Sequence, residues 1–293
     1  MIIDRLPRPF LDEMRTLLGE DEYERYLSAM EETPLSGLRV NSLKISNERL
    51  LAAFGNLDPV LWTNNGFYCE TGGEYTSHPY YYAGLYYMQE PSAMSSAALL
   101  GTEPGEHILD LCAAPGGKST QIAADLRGDG FLLSNDLSAS RARALLKNIE
   151  LMGIGNCCIS CEDSERLKRE YPLYFDRILV DAPCSGLGTL RRNPDLKYRQ
   201  SPETVAKLLE QQHSILDAAA KLVKPQGRLV YATCSVLPEE NEMQVERFLK
   251  EHPEYELLDC AELLAGLKID LNTGKYLRLD SAKHQTDGFF AAV

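Results

Sequence analysis

HILDLCAAPGGKSTQ, residues 107–121, decides the fold. Residues 107–113 read as a strand, Gly116 and Gly117 as a tight turn, and the positions up to about Leu126 as a helix. The same alternation continues outward. GFLLSND (130–136) is a strand and Ala139–Met152 a helix; Cys157–Cys161 and FDRILVDAP (175–183) are strands. A helix over 203–223, the strand GRLVYATC (227–234) and a helix over 239–250 complete the series. Strands alternating with helices predict a parallel sheet covered on both faces, an α/β class. Two last short strands, Tyr276–Leu279 and Gly288–Val293, read as an antiparallel edge pair.

Upstream the pattern differs. Residues 8–30 place Phe10, Met14, Leu17 and Leu18 at helical spacing, with Gly19 as a break, and Leu38–Ile45 reads as a strand carrying Arg39 and Lys44. Residues 63–82, rich in Asn, Gly, Tyr and Thr, read as a loop-rich connector. The reading is a small N-terminal α+β domain over 1–85 and a larger α/β domain over 86–293.

Composition narrows the class. Hydrophobic residues make up 44% and charged residues 25% of the 293, which is ordinary for a chain with a packed core. No apolar run approaches the ~18 residues of a membrane helix, and the first residues carry no signal-peptide pattern. A cytoplasmic protein, monomeric by default, is expected. Its eight cysteines are then reduced thiols. A net charge of −13 excludes a broadly basic nucleic-acid-binding face, so any contact with RNA must use a local patch.

In open parallel sheets ligands bind at the carboxyl ends of the strands, which is where the Gly116–Gly117 turn falls. Glycines there let the backbone approach a ligand closely. Asp136 lies twenty residues past Gly116, the place of a ribose-binding carboxylate. Asp163, after the third strand, is placed to accept from an adenine amine. Asp110 and Asp181 add acids to the same rim, which suits a cationic sulfonium better than a pyrophosphate. A P-loop fails because Cys112 stands where its first glycine is needed, and GxGxxG is absent.

Two cysteines end core strands: Cys184 in DAPCSG (181–186) and Cys234 in TCS (233–235). A thiolate that adds to carbon 6 of cytosine turns the ring into an enamine able to attack a methyl sulfonium at carbon 5, which is covalent catalysis. Asp181 is the acid available to the ring N3, and the second cysteine can serve the release of the product. Cys157, Cys158 and Cys161 contain a lone CxxC with no second pair at zinc-ribbon spacing, so they read as core strand residues and no metal is expected.

These motifs together resemble the Sun-type (Fmu/Nop/Sun) RNA cytosine-C5 methyltransferases: CAAPGGKST, ND at 135–136, DAPCSG, TCS and DGFF (287–290), with QEPSAM (89–94) leading in. LRVNSLK (38–44) and LPRPFLDEMRTLLG (6–19) resemble the N-terminal region of the bacterial branch acting on small-subunit ribosomal RNA, the RsmF type. The resemblance implies a Rossmann-like S-adenosylmethionine-dependent methyltransferase sheet with a small N-terminal RNA-binding domain. By it Cys234 is the nucleophile and Cys184 helps release the product. Cys112, Ala113, Ala114, Pro115, Gly116, Gly117, Lys118, Asp136, Asp163 and Asp181 are the cofactor contacts. Such enzymes usually continue past the DGFF strand into a C-terminal RNA-binding domain, whereas this sequence ends at Val293.

The loop GLGTLRRNPDLKYRQ (186–200) carries Arg191, Arg192, Lys197 and Arg199 against Asp195, directly after the Cys184 motif. It is the expected phosphate-contacting segment, with Arg39 a weaker candidate. The tyrosines at 80, 81, 82, 86 and 87 read as core packing near the domain junction rather than a base-stacking platform. The expected partner is RNA, as ribosomal RNA or the assembled small subunit, presenting a single-stranded or flipped cytosine. The alternatives are a transfer RNA substrate or a ribosome assembly factor with vestigial catalysis.

Overall fold

Two sheets organise the computed structural model, which describes Ile3, Leu6 and residues 8–198, 201–265 and 275–293. The helices α1 (Arg8–Leu18) and α2 (Glu20–Glu31) are separated by Gly19 at φ 74°, as the break in periodicity predicts. They are followed by a three-stranded antiparallel sheet of β1 (Ser36–Val40), β2 (Gly66–Cys69) and β3 (Tyr86–Met88), in the order β2-β1-β3. The pairing of β3 with β1 brings Tyr86–Met88 into the sheet of the upstream strands. Strand β1 does not reach Ile45. The side chain of Asn41 accepts from Leu43 N at 3.2 Å and its carbonyl from Lys44 N at 2.9 Å, a turn that ends the strand and takes Lys44 out of it.

The second sheet has seven strands. β4 (His107–Asp110), β5 (Phe131–Asn135), β6 (Cys157–Ser160), β7 (Phe175–Asp181) and β8 (Val223–Thr233) are parallel. β9 (Leu277–Leu279) and β10 (Phe289–Ala292) close the edge antiparallel, giving the order β6-β5-β4-β7-β8-β10-β9. The expected edge pair is therefore present, with β10 inserted against β8. The buried runs Ile108–Leu109, Leu132–Leu133 and Ile178–Val180 show why the strands read as continuous apolar stretches: helices cover both faces.

Between these strands lie α3 (Asn47–Phe54), α4 (Pro79–Tyr82), α5 (Ser95–Leu100), α6 (Gly117–Asp125), α7 (Ala139–Met152), α8 (Ser164–Glu170), α9 (Pro202–Leu222), α10 (Glu242–Glu251), α11 (Cys260–Leu264) and α12 (Ser281–His284). Their ends follow local chemistry. Ser201 caps α9 by accepting from Thr204 N, with Pro202 at the first helical position, and Gly153 at φ 74° stops α7. The chain leaves β4 toward β5 on one side and returns to β7 on the other, so a crevice opens at the carboxyl end of β4. Helices α1 and α2 pack through Phe10, Met14, Tyr26 and Met30 onto Leu187, Leu190 and Leu237, next to that crevice. Among the described residues, no helix is long and apolar enough to cross a membrane.

Candidate active site

The turn after β4 is held from three directions. Gly116 adopts φ 111°, and a Cβ there would lie 2.9 Å from Leu145 on α7, so only glycine fits without displacement. Asn148 donates to Pro115 O at 2.8 Å and Arg141 to Ala114 O at 2.7 Å. Asp136, buried at the end of β5, accepts from Ala114 N at 3.3 Å and Ser138 N at 3.0 Å and pairs with Arg141. Its carboxylate therefore shapes the turn it faces. Asp163 is exposed and caps α8 by accepting from Arg166 N at 2.7 Å.

Asp110 and Asp181, both read as rim acids, differ. Asp110 is fully buried, and one of its oxygens accepts from Ser119 Oγ at 2.6 Å. Burial pushes its carboxyl up to about 7 against the opposing Ser119 hydrogen bond, with Asp181 adding to the rise. It belongs to the interior beneath the turn, not to the rim. Asp181 is paired with Lys118, 2.7 Å away. Burial works against the Lys118 ammonium, yet Asp181, then Asp110 and Cys234, hold its pKa raised. The lysine of the turn is thus an ion-pair partner at the end of β7, with the Phe289 ring 5.7 Å from its nitrogen. Cys112 is a partly buried thiol whose pKa burial raises.

Because β7 and β8 are parallel neighbours with Asp181 opposite Ala232, their carboxyl ends deliver Cys184 and Cys234 to one place. The two sulfurs are 3.3 Å apart. The Cys184 thiol is pushed well above its ordinary value, first by its hydrogen bond to Cys234, then by burial and the negative potential of Cys234 and Glu240. Gly188 N donates to Cys234 O at 2.9 Å and Gly288 N to Gly188 O at 2.8 Å, lacing together the DAPCSG, TCS and DGFF segments. Sequence reasoning missed what lies behind the sulfurs. Ser185 and Ser235 each follow a cysteine, and both meet the carboxylate of Glu240. The repeated Cys-Ser pair was the available signal.

Three of the arginines expected to contact RNA are engaged within the fold. Arg39 is 1% exposed and donates to Gly117 O at 2.6 Å, Thr120 Oγ1 at 2.6 Å, and the side chains of Gln89 and Gln121. It grips the first turn of α6 from the N-terminal sheet, so it holds the crevice and does not face a ligand outside. Arg191, 6% exposed, donates to Ala29 O and Thr286 O. Arg192 donates to Asp287 at 2.7 Å and to Leu35 O, with Glu90 4.0 Å away. These two guanidiniums bind the loop to the QEPSAM and DGFF segments rather than forming a solvated basic patch. Lys197 falls in the short helix Pro194–Tyr198, and Arg199 lies outside the described residues. Tyr86 is buried among Phe54 and Tyr81 as expected of core packing, whereas Tyr82 is 68% exposed. Cys158 and Cys161 are exposed rather than in the core, and only Cys157 is packed against it.

Comparison with known proteins adds to this geometry. A family model described as 16S rRNA methyltransferase RsmB/F matches residues 97–293, and one for the N-terminal domain of 16S rRNA methyltransferase RsmF matches residues 6–91. The chain is 35% identical over 298 residues to the ribosomal RNA small subunit methyltransferase F of Klebsiella pneumoniae (strain 342), covering 98% of this chain and 62% of that protein. Identity to the protein of the same name from Escherichia coli O17:K52:H18 is 36% over 300 residues, again with 98% and 62% covered. The chain thus spans 62% of the length of these curated relatives. A solved methyltransferase homolog from Pyrococcus horikoshii matches with a TM-score of 0.78 and 29% identity over 98% of both chains. NSun6 from the same organism shares the fold, with a TM-score of 0.82 at 22% identity over 98% of this chain and 97% of that one.

Proposed function

The chain belongs to the RsmB/F family of 16S rRNA methyltransferases, and from that premise we propose that it methylates carbon 5 of a cytosine in small-subunit ribosomal RNA through a covalent adduct with Cys234. The observation that carries this reading is the pair of sulfurs 3.3 Å apart beside the Lys118–Asp181 ion pair. Transfer to an amine or hydroxyl needs no thiol nucleophile; transfer to a pyrimidine carbon needs one.

The crevice suits S-adenosylmethionine, which supplies the methyl group when bound. The Gly116 turn gives close backbone approach, Asp136 and Asp163 offer carboxylates on the side of β5 and β6, and Asp181 stands toward the cysteines. Cys112, Ala113, Ala114, Pro115, Gly117 and Lys118 complete the lining of the turn. The chain's own residues divide the remaining work. Lys118 interacts electrostatically with Cys234, so a thiolate there is matched by a cation as it adds to carbon 6. Asp181 is the group for the cytosine N3.

Cys184 acts later. Its hydrogen bond to Cys234 is the largest influence keeping it protonated. That influence ends when the Cys234 sulfur becomes a thioether. Cys184, its thiol proton passed to solvent, then takes the carbon 5 proton, the carbon 5–carbon 6 double bond re-forms, and Cys234 leaves as thiolate.

The test is transfer of labelled methyl from S-adenosylmethionine to 16S RNA, assembled small subunits and total transfer RNA from a strain lacking the modification, followed by nucleoside analysis. Label in 5-methylcytidine at one ribosomal site is expected. Label confined to another nucleoside, or to transfer RNA, overturns the assignment of reaction or of substrate respectively.

A further inference from the structure

Glu240 lies between β8 and α10 with no exposed surface. Its carboxylate receives Ser185 N at 2.8 Å and Gln212 Nε2 at 3.1 Å on one oxygen, and the hydroxyls of Ser185, at 2.5 Å, and Ser235 on the other. The two hydroxyls are 3.0 Å apart. Among the described residues, no lysine, arginine or histidine forms an ion pair with this carboxylate. A buried charge without a counter-ion is expensive unless hydrogen bonds satisfy it, and hydrogen bonds to an ionised acceptor are the strong ones. The Glu240 carboxylate is held chiefly by the residues that directly follow the two sulfurs.

The surrounding structure leaves that task open. The β7–β8 ladder ends near Ala182, whose N–H meets Ala232 O at 2.9 Å. Beyond it the sulfur-bearing turns are joined by the Gly188–Cys234 backbone bond and by Glu240. The serine oxygens pass the constraint onward, accepting from Leu187 N at 3.4 Å and Leu237 N at 3.1 Å.

We propose that Glu240 is a positioning residue for the two cysteines: its carboxylate ties the turn after Cys184 to the turn after Cys234 and so sets the separation of the thiols. The chemical consequence rests on the proposed methyl transfer, in which both sulfurs act on one ring; the spacing itself does not. The negative potential of Glu240 at Cys184 favours the neutral thiol.

Spacing can be read without RNA. Diamide takes two electrons and two protons from a pair of thiols, giving one disulfide and the hydrazine, at a rate that depends on how the sulfurs are held. In the full chain, the peptide linking Cys184 to Cys234 is followed by mass spectrometry for the wild type, Glu240→Gln, Glu240→Ala and a Ser185→Ala/Ser235→Ala double variant. Closure is expected to slow by about tenfold or more in Glu240→Ala and in the double variant, and to stay near the wild-type rate in Glu240→Gln, which keeps the shape of the clamp. Methyl transfer is expected to fall about 100-fold in Glu240→Ala with the cofactor KM unchanged. Wild-type closure rates in Glu240→Ala, or in the double variant should Glu240→Ala not fold, overturn the proposal. Slowed closure in a protein whose wild type methylates no RNA upholds the clamp and overturns the methyltransferase reading instead.

Discussion

Replacing Gly188 by alanine tests the geometry at its tightest point. A Cβ on Gly188 would lie 2.3 Å from Gly288 O and 2.7 Å from Cys234 O, both backbone atoms. Ordinary van der Waals contact begins near 3.4 Å, so the turn must retreat from β10 and from Cys234 by about 1 Å. Such overpacking typically costs 1–3 kcal/mol of stability. The same shift lies between the two sulfur-bearing turns, where a displacement of about 1 Å lowers a rate roughly 100-fold, or about 2.7 kcal/mol at the transition state. Single-turnover methyl transfer to 16S RNA, with enzyme in excess, measures the chemical step, and calorimetry measures Tm. Gly155→Ala is the control, since nothing lies within 4 Å of its Cβ. If Gly188→Ala matches Gly155→Ala in both rate and Tm, the close packing inferred for this turn is wrong.

Two further predictions concern buried charges. The Asp110 carboxyl, raised to about 7 in the folded chain against about 3.9 unfolded, binds an extra proton in the native state between those values. Its contribution to stability therefore declines as pH rises from about 4 to about 7, by up to ~1.4 kcal/mol per unit, and levels off above. Asp110→Asn removes the decline, so Tm-against-pH curves of wild type and variant should diverge between about pH 4 and 7; parallel curves contradict the assignment. Arg39→Met strands the acceptors at Gly117, Thr120 and Gln89, and should lower stability by about 2–4 kcal/mol and weaken cofactor binding in calorimetric titration. Unchanged Tm and cofactor affinity with weakened RNA binding would return Arg39 to the RNA-contact role.

What the sequence made legible was what depends on local pattern. The α7 helix, Ala139–Met152, falls where its periodicity and the following Gly153 place it. The convergence of Cys184 and Cys234 follows from each ending a parallel strand of one sheet. What was hidden depends on distant partners. The basic residues after Gly186 look solvated until Asp287 and Glu90, remote in sequence, fold against Arg191 and Arg192. Arg39 looks like an outward-facing strand residue because only the tertiary fold brings the start of α6 to it. Glu240, one of three acids in PEENE (238–242), is not set apart in sequence from Glu239 and Glu242, and only the fold shows its carboxylate buried against the two serines.

The central claim is that Cys234 bonds to the cytosine ring and Cys184 lets the ring go. It is tested most directly by incubating wild type, Cys184→Ala, Cys234→Ala and the double variant with 16S RNA and S-adenosylmethionine, then looking for denaturant-resistant protein–RNA complexes. The account predicts a stable adduct in Cys184→Ala, and none in Cys234→Ala or in the double variant. An adduct that persists in Cys234→Ala, or methyl transfer at the wild-type rate by that variant, would contradict it.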